Sequence, residues 1–139
     1  MKSIAVYCSS SNDVDEAFKV EARKVGELLG KNKYKIVYGG GNMGLMGTIS
    51  NSSIAAGGHV YGVITKHLID FEKKNKSLNN LKIVTSMHER KIEMFNSSEI
   101  FLIFITPYTF AADIKPLQQG KNIQSSLGKV EESMAIICD

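Results

Sequence analysis

Five glycines fall within the nine residues from Gly39 to Gly47, directly after the β-prone run Lys35–Tyr38 and directly before a segment carrying Ile49, Ile54, Ala55 and Ala56 at helical spacing. Glycine alone takes positive φ without a Cβ penalty, so this density marks a tight strand-to-helix turn. Gly39, Gly41 and Gly44 satisfy GxGxxG in the strand–turn–helix context that gives this otherwise weak motif weight. The first N–H groups of a helix carry about half a positive charge, so a phosphate suits such a turn. The competing reading is purely steric: Gly39–Gly41 permit the turn, while Gly44 and Gly47 let helices pack closely.

The same strand-then-helix unit recurs along the chain. Ser3–Cys8 reads as a buried strand entering the polar turn Ser9–Asn12. Asp13, with Glu16 three residues on, is placed to cap a helix whose apolar positions include Val14, Phe18, Val25 and Leu29, and Gly30 suits its exit. The second helix is stopped by Gly57 and Gly58. Val60–Ile64 reads as a third strand, Lys66–Lys74 as a short charged helix or loop, and Asn75–Asn80 as a polar connection. Leu81–Val84 is a fourth strand, Met87–Asn96 a helix, and the continuous apolar run Ile100–Ile105 a central parallel strand. Alternation of this kind predicts an α/β, Rossmann-like, doubly wound parallel sheet in a single domain, with every strand C-terminus along one ligand-binding edge. Residues 1–105 form the nucleotide-binding core of this reading. Residues 106–139 are a divergent, polar C-terminal segment of the same domain, with one last short strand at Ala135–Cys138.

The charge balance narrows the partners. A formal net charge of +3 with scattered lysines favours small anions over nucleic acid. The N-terminal apolar run is too short for a signal peptide or a membrane span, and Cys8 and Cys138 form no CxxC pair, so the expectation is a cytoplasmic protein. A dinucleotide site would put the glycines after the first strand and an acid at the end of the next; here they follow the second, and the third ends in Thr65-Lys66. No Gly-Lys-Ser/Thr closes a P-loop. His59, His67 and His88 lack partners at metal-ligand spacing, so neither a metal nor a cofactor is expected.

A second polar cluster, Met87-His88-Glu89-Arg90-Lys91, opens the helix after the fourth strand and thus belongs to the same edge. Arg90 has the fork geometry for a phosphate or carboxylate, and Glu89 and Glu93 stand four apart on one helix face. The plainer reading is a solvated helix end.

Val6-Tyr7-Cys8-Ser9-Ser10-Ser11, Gly39-Gly40-Gly41-Asn42-Met43-Gly44-Leu45-Met46-Gly47 and Met87-His88-Glu89-Arg90-Lys91, in that order, resemble the LOG ("Lonely Guy") family. Its members are cytokinin riboside 5′-monophosphate phosphoribohydrolases, often mislabelled as possible lysine decarboxylases; no pyridoxal-phosphate lysine motif is seen here. The resemblance covers Met1 to about Ile105. It implies a Rossmann-like homodimer that hydrolyses the N-glycosidic bond of an AMP-like or N6-modified nucleoside 5′-monophosphate. By position, Ser9, Ser10, Gly40, Gly41, Gly44, Met87 and Lys91 would line the substrate site, and Arg90 would be the catalytic arginine.

In the family the central strand runs into Pro-Gly-Gly-x-Gly-Thr-x-x-Glu, whose glycines hold phosphate and whose glutamate is catalytic. This chain has Ile105-Thr106-Pro107-Tyr108-Thr109-Phe110 there, and the spacing of Asp113, Glu131 and Glu132 singles out no substitute. The C-terminal part thus reads as truncated or altered. A catalytically silent nucleotide-binding module and a structural dimerisation remnant stand beside the hydrolase reading. A change of reading frame near codon 105 would produce such a junction. Translating the encoding DNA beyond that codon in the other two frames should then yield Pro-Gly-Gly-x-Gly-Thr; its absence from both removes the frame change.

Overall fold

The computed structural model describes residues 1–71, 74–78, 80–104, 122–125 and 134–138. Its elements are β1 (Ser3–Tyr7), α1 (Glu16–Lys31), β2 (Lys35–Tyr38), α2 (Gly44–Ala55), β3 (His59–Thr65), a 3-10 turn (Lys66–Leu68), β4 (Asn80–Val84), α3 (Met87–Asn96), β5 (Ile100–Phe104), β6 (Asn122–Ser125) and β7 (Met134–Cys138). The sheet order is β4-β3-β2-β1-β5-β7-β6. β1 to β5 are mutually parallel, as the alternation requires, whereas β7 pairs antiparallel with β5 and β6 antiparallel with β7.

Strand periodicity of two sorts the core into two layers. Ile4, Val6, Ile36, Tyr38, Val60 and Leu102 face the layer containing Ala22, Leu29, Leu45 and Ile49 of α1 and α2. Ala5, Tyr7, Val37, Tyr61, Val63, Phe101 and Ile103 face Met94 of α3. The sheet is therefore wound on both sides. From β1 the chain runs outward through β2, β3 and β4, then crosses to β5 on the other side of β1. The direction reverses between β1 and β5, and ligands of such sheets bind outside the strand C-termini at this switch point. β4 closes the other side as an edge strand, with Lys82 and Ile83 exposed.

Two local expectations change. α1 begins at Glu16 behind Asp15, whose side chain makes no capping bond, and Asp13 instead donates its N–H to Ser11 Oγ at 3.2 Å. Burial of Val14 in the α1/α2 layer holds this stretch against the sheet before the helix starts. The exit of α1 does not use Gly30 either: the left-handed residue is Lys33, at φ 61°, and Gly30 is buried against α2.

Gly26 and Gly30, one turn apart on α1, let the two helices touch at backbone distance. A Cβ at Gly26 would fall on Ser52 Oγ and 2.6 Å from the Ile49 carbonyl oxygen; at Gly30 it would lie 2.6 Å from the Ser53 carbonyl oxygen. Gly26→Ala gains up to about 1 kcal/mol of helix propensity but overpacks a backbone contact, at a cost of about 1–3 kcal/mol. A lower urea midpoint is the expected result; a higher one would show that the helices do not rely on this approach.

Candidate functional site

The glycine turn is fastened through its carbonyls. Arg90 Nη2 donates to the Gly39 oxygen, the Asn75 N–H to the Gly40 oxygen at 3.0 Å, and Tyr38 Oη to the Gly41 oxygen at 2.8 Å. In a trans peptide the carbonyl and the following N–H point opposite ways, so the Gly40 N–H is turned away from Arg90 and the Gly41 N–H away from Asn75. Gly39, Gly40 and Gly41 are all buried. Gly40, at φ +77°, would bring a Cβ within 3.0 Å of Leu81 Cδ1, and a Cβ on Gly39 would strike Arg90 Nη2. The steric demand for glycine is thus real at these positions.

At the start of α2 the arrangement is more open. Gly44 and Met43 are half-buried, and Gly44, at φ +59°, packs so closely on the turn after β1 that a Cβ would meet the Ser10 carbonyl carbon at 2.8 Å. Amides in a first helical turn have no intrahelical acceptor and must find one. The Gly44 N–H donates to Asn12 Oδ1 at 3.0 Å and the Leu45 N–H to the Ser9 oxygen at 3.1 Å. Two amides that the sequence leaves bare are therefore held by the β1 turn. Buried Ser9 also accepts the Ser11 N–H on its Oγ, at 3.1 Å. Ser9, Ser10 and Gly44 thus meet in one place. An open groove of about 800 Å³ starts there, at Asn12, Asn42 and Gly44, and runs between α1 and α2 past Arg23 and Lys31.

Arg90 is delivered by a capped helix. Ser86 Oγ accepts the Glu89 N–H at 3.1 Å, while Glu89 Oε2 reaches back to the Thr85 N–H at 2.9 Å and to Thr85 Oγ1 at 2.8 Å. This variant of the capping box fixes the start of α3. One residue on, Arg90 is 6% exposed, with Nε donating to the Val63 oxygen at 2.9 Å and Nη1 lying 3.8 Å from Met87 Sδ. Its guanidinium ties α3 to the C-terminal ends of β2 and β3. Half-buried Met87 joins it there, and half-buried Lys91 follows on the helix.

Neither acid of the expected pair is a bare carboxylate. The Thr85 N–H and hydroxyl hold the Glu89 carboxyl below the usual glutamate range. Glu93 accepts from Lys82 Nζ at 2.9 Å and Tyr61 Oη at 2.8 Å, and these bonds lower its pKa as well. Burial, reinforced by Glu93, pushes Tyr61 up to about 12, and burial raises Tyr38 to about 12. Sequence reasoning overlooked Tyr38 and Asn75. Tyr38 reads as one more apolar strand residue and Asn75 as one more linker residue, although a tyrosine ending a strand before a glycine turn was a usable signal.

Among the described residues no cluster of His, Cys, Asp or Glu could hold a metal ion, and no helix is long and apolar enough to cross a membrane. Ile105–Phe110, where the second glycine motif would fall, lies outside the described residues, as do Asp113, Glu131 and Glu132. Of the segment 106–139, only the backbones of β6 and β7 are described.

Residues 1–108 match the SLOG cluster4 family. The chain belongs to that family. A cytokinin riboside 5′-monophosphate phosphoribohydrolase of Arabidopsis thaliana is 38% identical over 101 residues, which is 73% of this chain and 44% of that protein. Another from the same plant is 40% identical, over 47% of its length, and a probable one of Oryza sativa subsp. japonica is 36% identical, over 41%. This SLOG chain spans less than half the length of these relatives. The resemblance read from the three motifs is borne out. Among solved structures, the Moco carrier protein of Chlamydomonas reinhardtii superposes with a TM-score of 0.70 at 19% identity, covering 85% of this chain and 70% of that one. The molybdenum cofactor binding protein of Rippkaea orientalis gives 0.60 at 17%, covering 70% and 58%. At such identities these neighbours share the SLOG chain's fold.

Arg90→Met in this SLOG chain leaves two buried carbonyls without their donor, each worth about 1–3 kcal/mol. Urea unfolding without ligand should lose about 3 kcal/mol, with Arg90→Lys recovering part; a loss below about 1 kcal/mol contradicts the fastening role. pH acts at both ends. The lowered folded pKa values of Glu89 and Glu93 give stability that is present above the ordinary 4.5 and lost as pH falls through those lowered values. The raised values of Tyr38 and Tyr61 give stability present below 10.0 and lost as pH rises through about 12. Thermal midpoints should fall on both sides, and Glu93→Gln should flatten the acid limb; an unaltered acid limb in that variant excludes Glu93 as a source.

Proposed function

We propose that this chain binds a nucleoside 5′-monophosphate of the AMP class at the C-terminal edge of its sheet and hydrolyses the N-glycosidic bond, acting as a homodimer in the cytoplasm. The observation that carries the reading is the convergence of the Ser9–Ser10 turn, the Gly44 end of α2 and the Arg90 helix beside the switch point between β1 and β5. The names of its SLOG relatives supply the reaction class.

Phosphate binds where Asn12 now sits. An anionic oxygen replaces Asn12 Oδ1 on the Gly44 N–H, exchanging a neutral hydrogen bond for a charge-assisted one, and Asn12 is exposed enough to leave without opening the core. Met87 and Lys91 flank the nucleotide from α3. Arg90, expected from the resemblance to be the catalytic arginine, lies beneath the turn with its guanidinium on the Gly39 and Val63 oxygens, and in this reading it acts through the turn as a positioning residue. In the reaction, water adds to the anomeric carbon as the C–N bond breaks, and a proton passes to the departing base. The products are the free base and ribose 5-phosphate. The ribose becomes oxocarbenium-like on the way, which calls for a carboxylate nearby.

A second reading, nucleotide binding without turnover, is favoured by the sequence Ile105-Thr106-Pro107-Tyr108-Thr109-Phe110 standing where the family's glycine motif and glutamate belong. Two measurements on one sample decide. A ligand at about a hundred times its Kd stabilises by about 2.7 kcal/mol, so AMP and ribose 5-phosphate should raise the unfolding midpoint. Chromatography of the AMP incubation should show adenine. Stabilisation without adenine selects the silent binder; no stabilisation and no adenine overturn the proposal.

A further inference from the structure

We infer that Asn75 is a second positioning residue of the nucleotide site, beside Arg90: it locks the glycine turn to the first turns of α2 and so holds the phosphate-facing end of that helix in place. The inference rests on the binding reading above and deepens it. Asn75 is 3% exposed, whereas the other described residues of the connection are exposed or half-buried, and its main-chain N–H and both ends of its side-chain amide are engaged. Its main-chain N–H donates to the Gly40 oxygen at 3.0 Å. Its Nδ2 donates to Ser50 Oγ at 3.0 Å and to Asn51 Oδ1 at 2.9 Å, and its Oδ1 accepts the Ser77 N–H at 3.0 Å.

Both acceptors relay the constraint. Ser50 Oγ donates to the Met46 oxygen at 2.8 Å and the Gly47 oxygen at 3.2 Å, in the first turn of α2. Asn51 Nδ2 donates to Asn42 Oδ1 at 2.9 Å, inside the glycine turn. One residue, by its main chain at Gly40 and by its side chain through Ser50 at Gly47, thus reaches both ends of the Gly40–Gly47 segment, while Gly41 forms an antiparallel bridge with Lys74 beside it. A buried amide with its hydrogen bonds complete specifies one geometry, because any shift of the turn leaves polar groups unpaired in low dielectric. The N-cap residue Met43 offers α2 no side-chain bond, so the lock places the Gly44 N–H from the α2 side while Asn12 and Ser9 receive the first amides from the β1 side.

Wild type, Asn75→Ala, Ser50→Ala and the double variant are compared for AMP affinity by calorimetry, with Leu29→Ala in the core of α1 as a destabilised control. Asn75→Ala should weaken AMP about tenfold, Ser50→Ala by less, and the double by no more than Asn75→Ala alone, because Ser50 acts through Asn75. Leu29→Ala should lower the thermal midpoint at least as far and leave AMP affinity unchanged. Equal weakening by Leu29→Ala, or multiplicative losses in the double, would overturn the positioning role. If wild type binds no AMP, the binding reading fails separately, and amide exchange then tests the lock. Exchange over Asn42–Thr48 should quicken about tenfold in Asn75→Ala relative to Leu29→Ala; equal rates overturn it.

Discussion

A buried guanidinium must have acceptors around it, and where Arg90 finds them fixes how α3 and the start of the glycine turn meet the sheet. The carbonyls at the ends of parallel strands point along the sheet edge once the ladder stops. Arg90 takes the Gly39 oxygen after β2 and the Val63 oxygen in β3. That pins α3 to the edge, brings Met87 and Lys91 with it, and fixes the peptide plane from which the glycine turn continues. Replacing water around a cation with fixed carbonyls succeeds only when the geometry is good, and the capped start of α3 supplies that geometry one residue upstream. The charge itself remains under the turn, where it favours an anion above it.

Much of the fold was legible because the two periods that matter are strong. Alternation in β1, β2 and β3 separates two core layers, and helical spacing marks α1 and α3, so sheet class and strand parallelism follow with little ambiguity. The start of α1 was misread because Asp13 and Glu16 mimic a capping pair while Val14 between them is a core anchor. Gly30 was misread because a glycine near a helix end looks like an exit, yet this one serves the helix crossing, and only contact with another element reveals that.

The site was legible in its parts and not in its wiring. That Ser9, Ser10, Gly44 and Arg90 belong together follows from strand order alone. That the glycine turn presents buried carbonyl anchors, and that α2 is already held by Asn12 and Ser9, depends, Tyr38 apart, on partners thirty or more residues away in sequence, such as Asn12 and Gly44. Long-range hydrogen bonds between backbone and polar side chains leave no periodic trace. Asn75 is the extreme case, since its composition and neighbours are those of any solvent-exposed linker. The relatives named as phosphoribohydrolases are more than twice as long as the stretch they share with this chain, so the likeness extends over β1 to β5 and the helices between them.

The edge strand β4 has a consequence for how copies of this chain behave in a crowded solution. Among the described residues no strand pairs with its outer rim, where Ile83 is exposed, and such a rim invites another strand to zip on. Lys82 next to it bears a charge that a second sheet would have to desolvate, and Glu93 keeps that ammonium in position. The same ion pair that helps Arg90 tie α3 to the sheet therefore also fixes a charge on the open edge, where it opposes the addition of another strand.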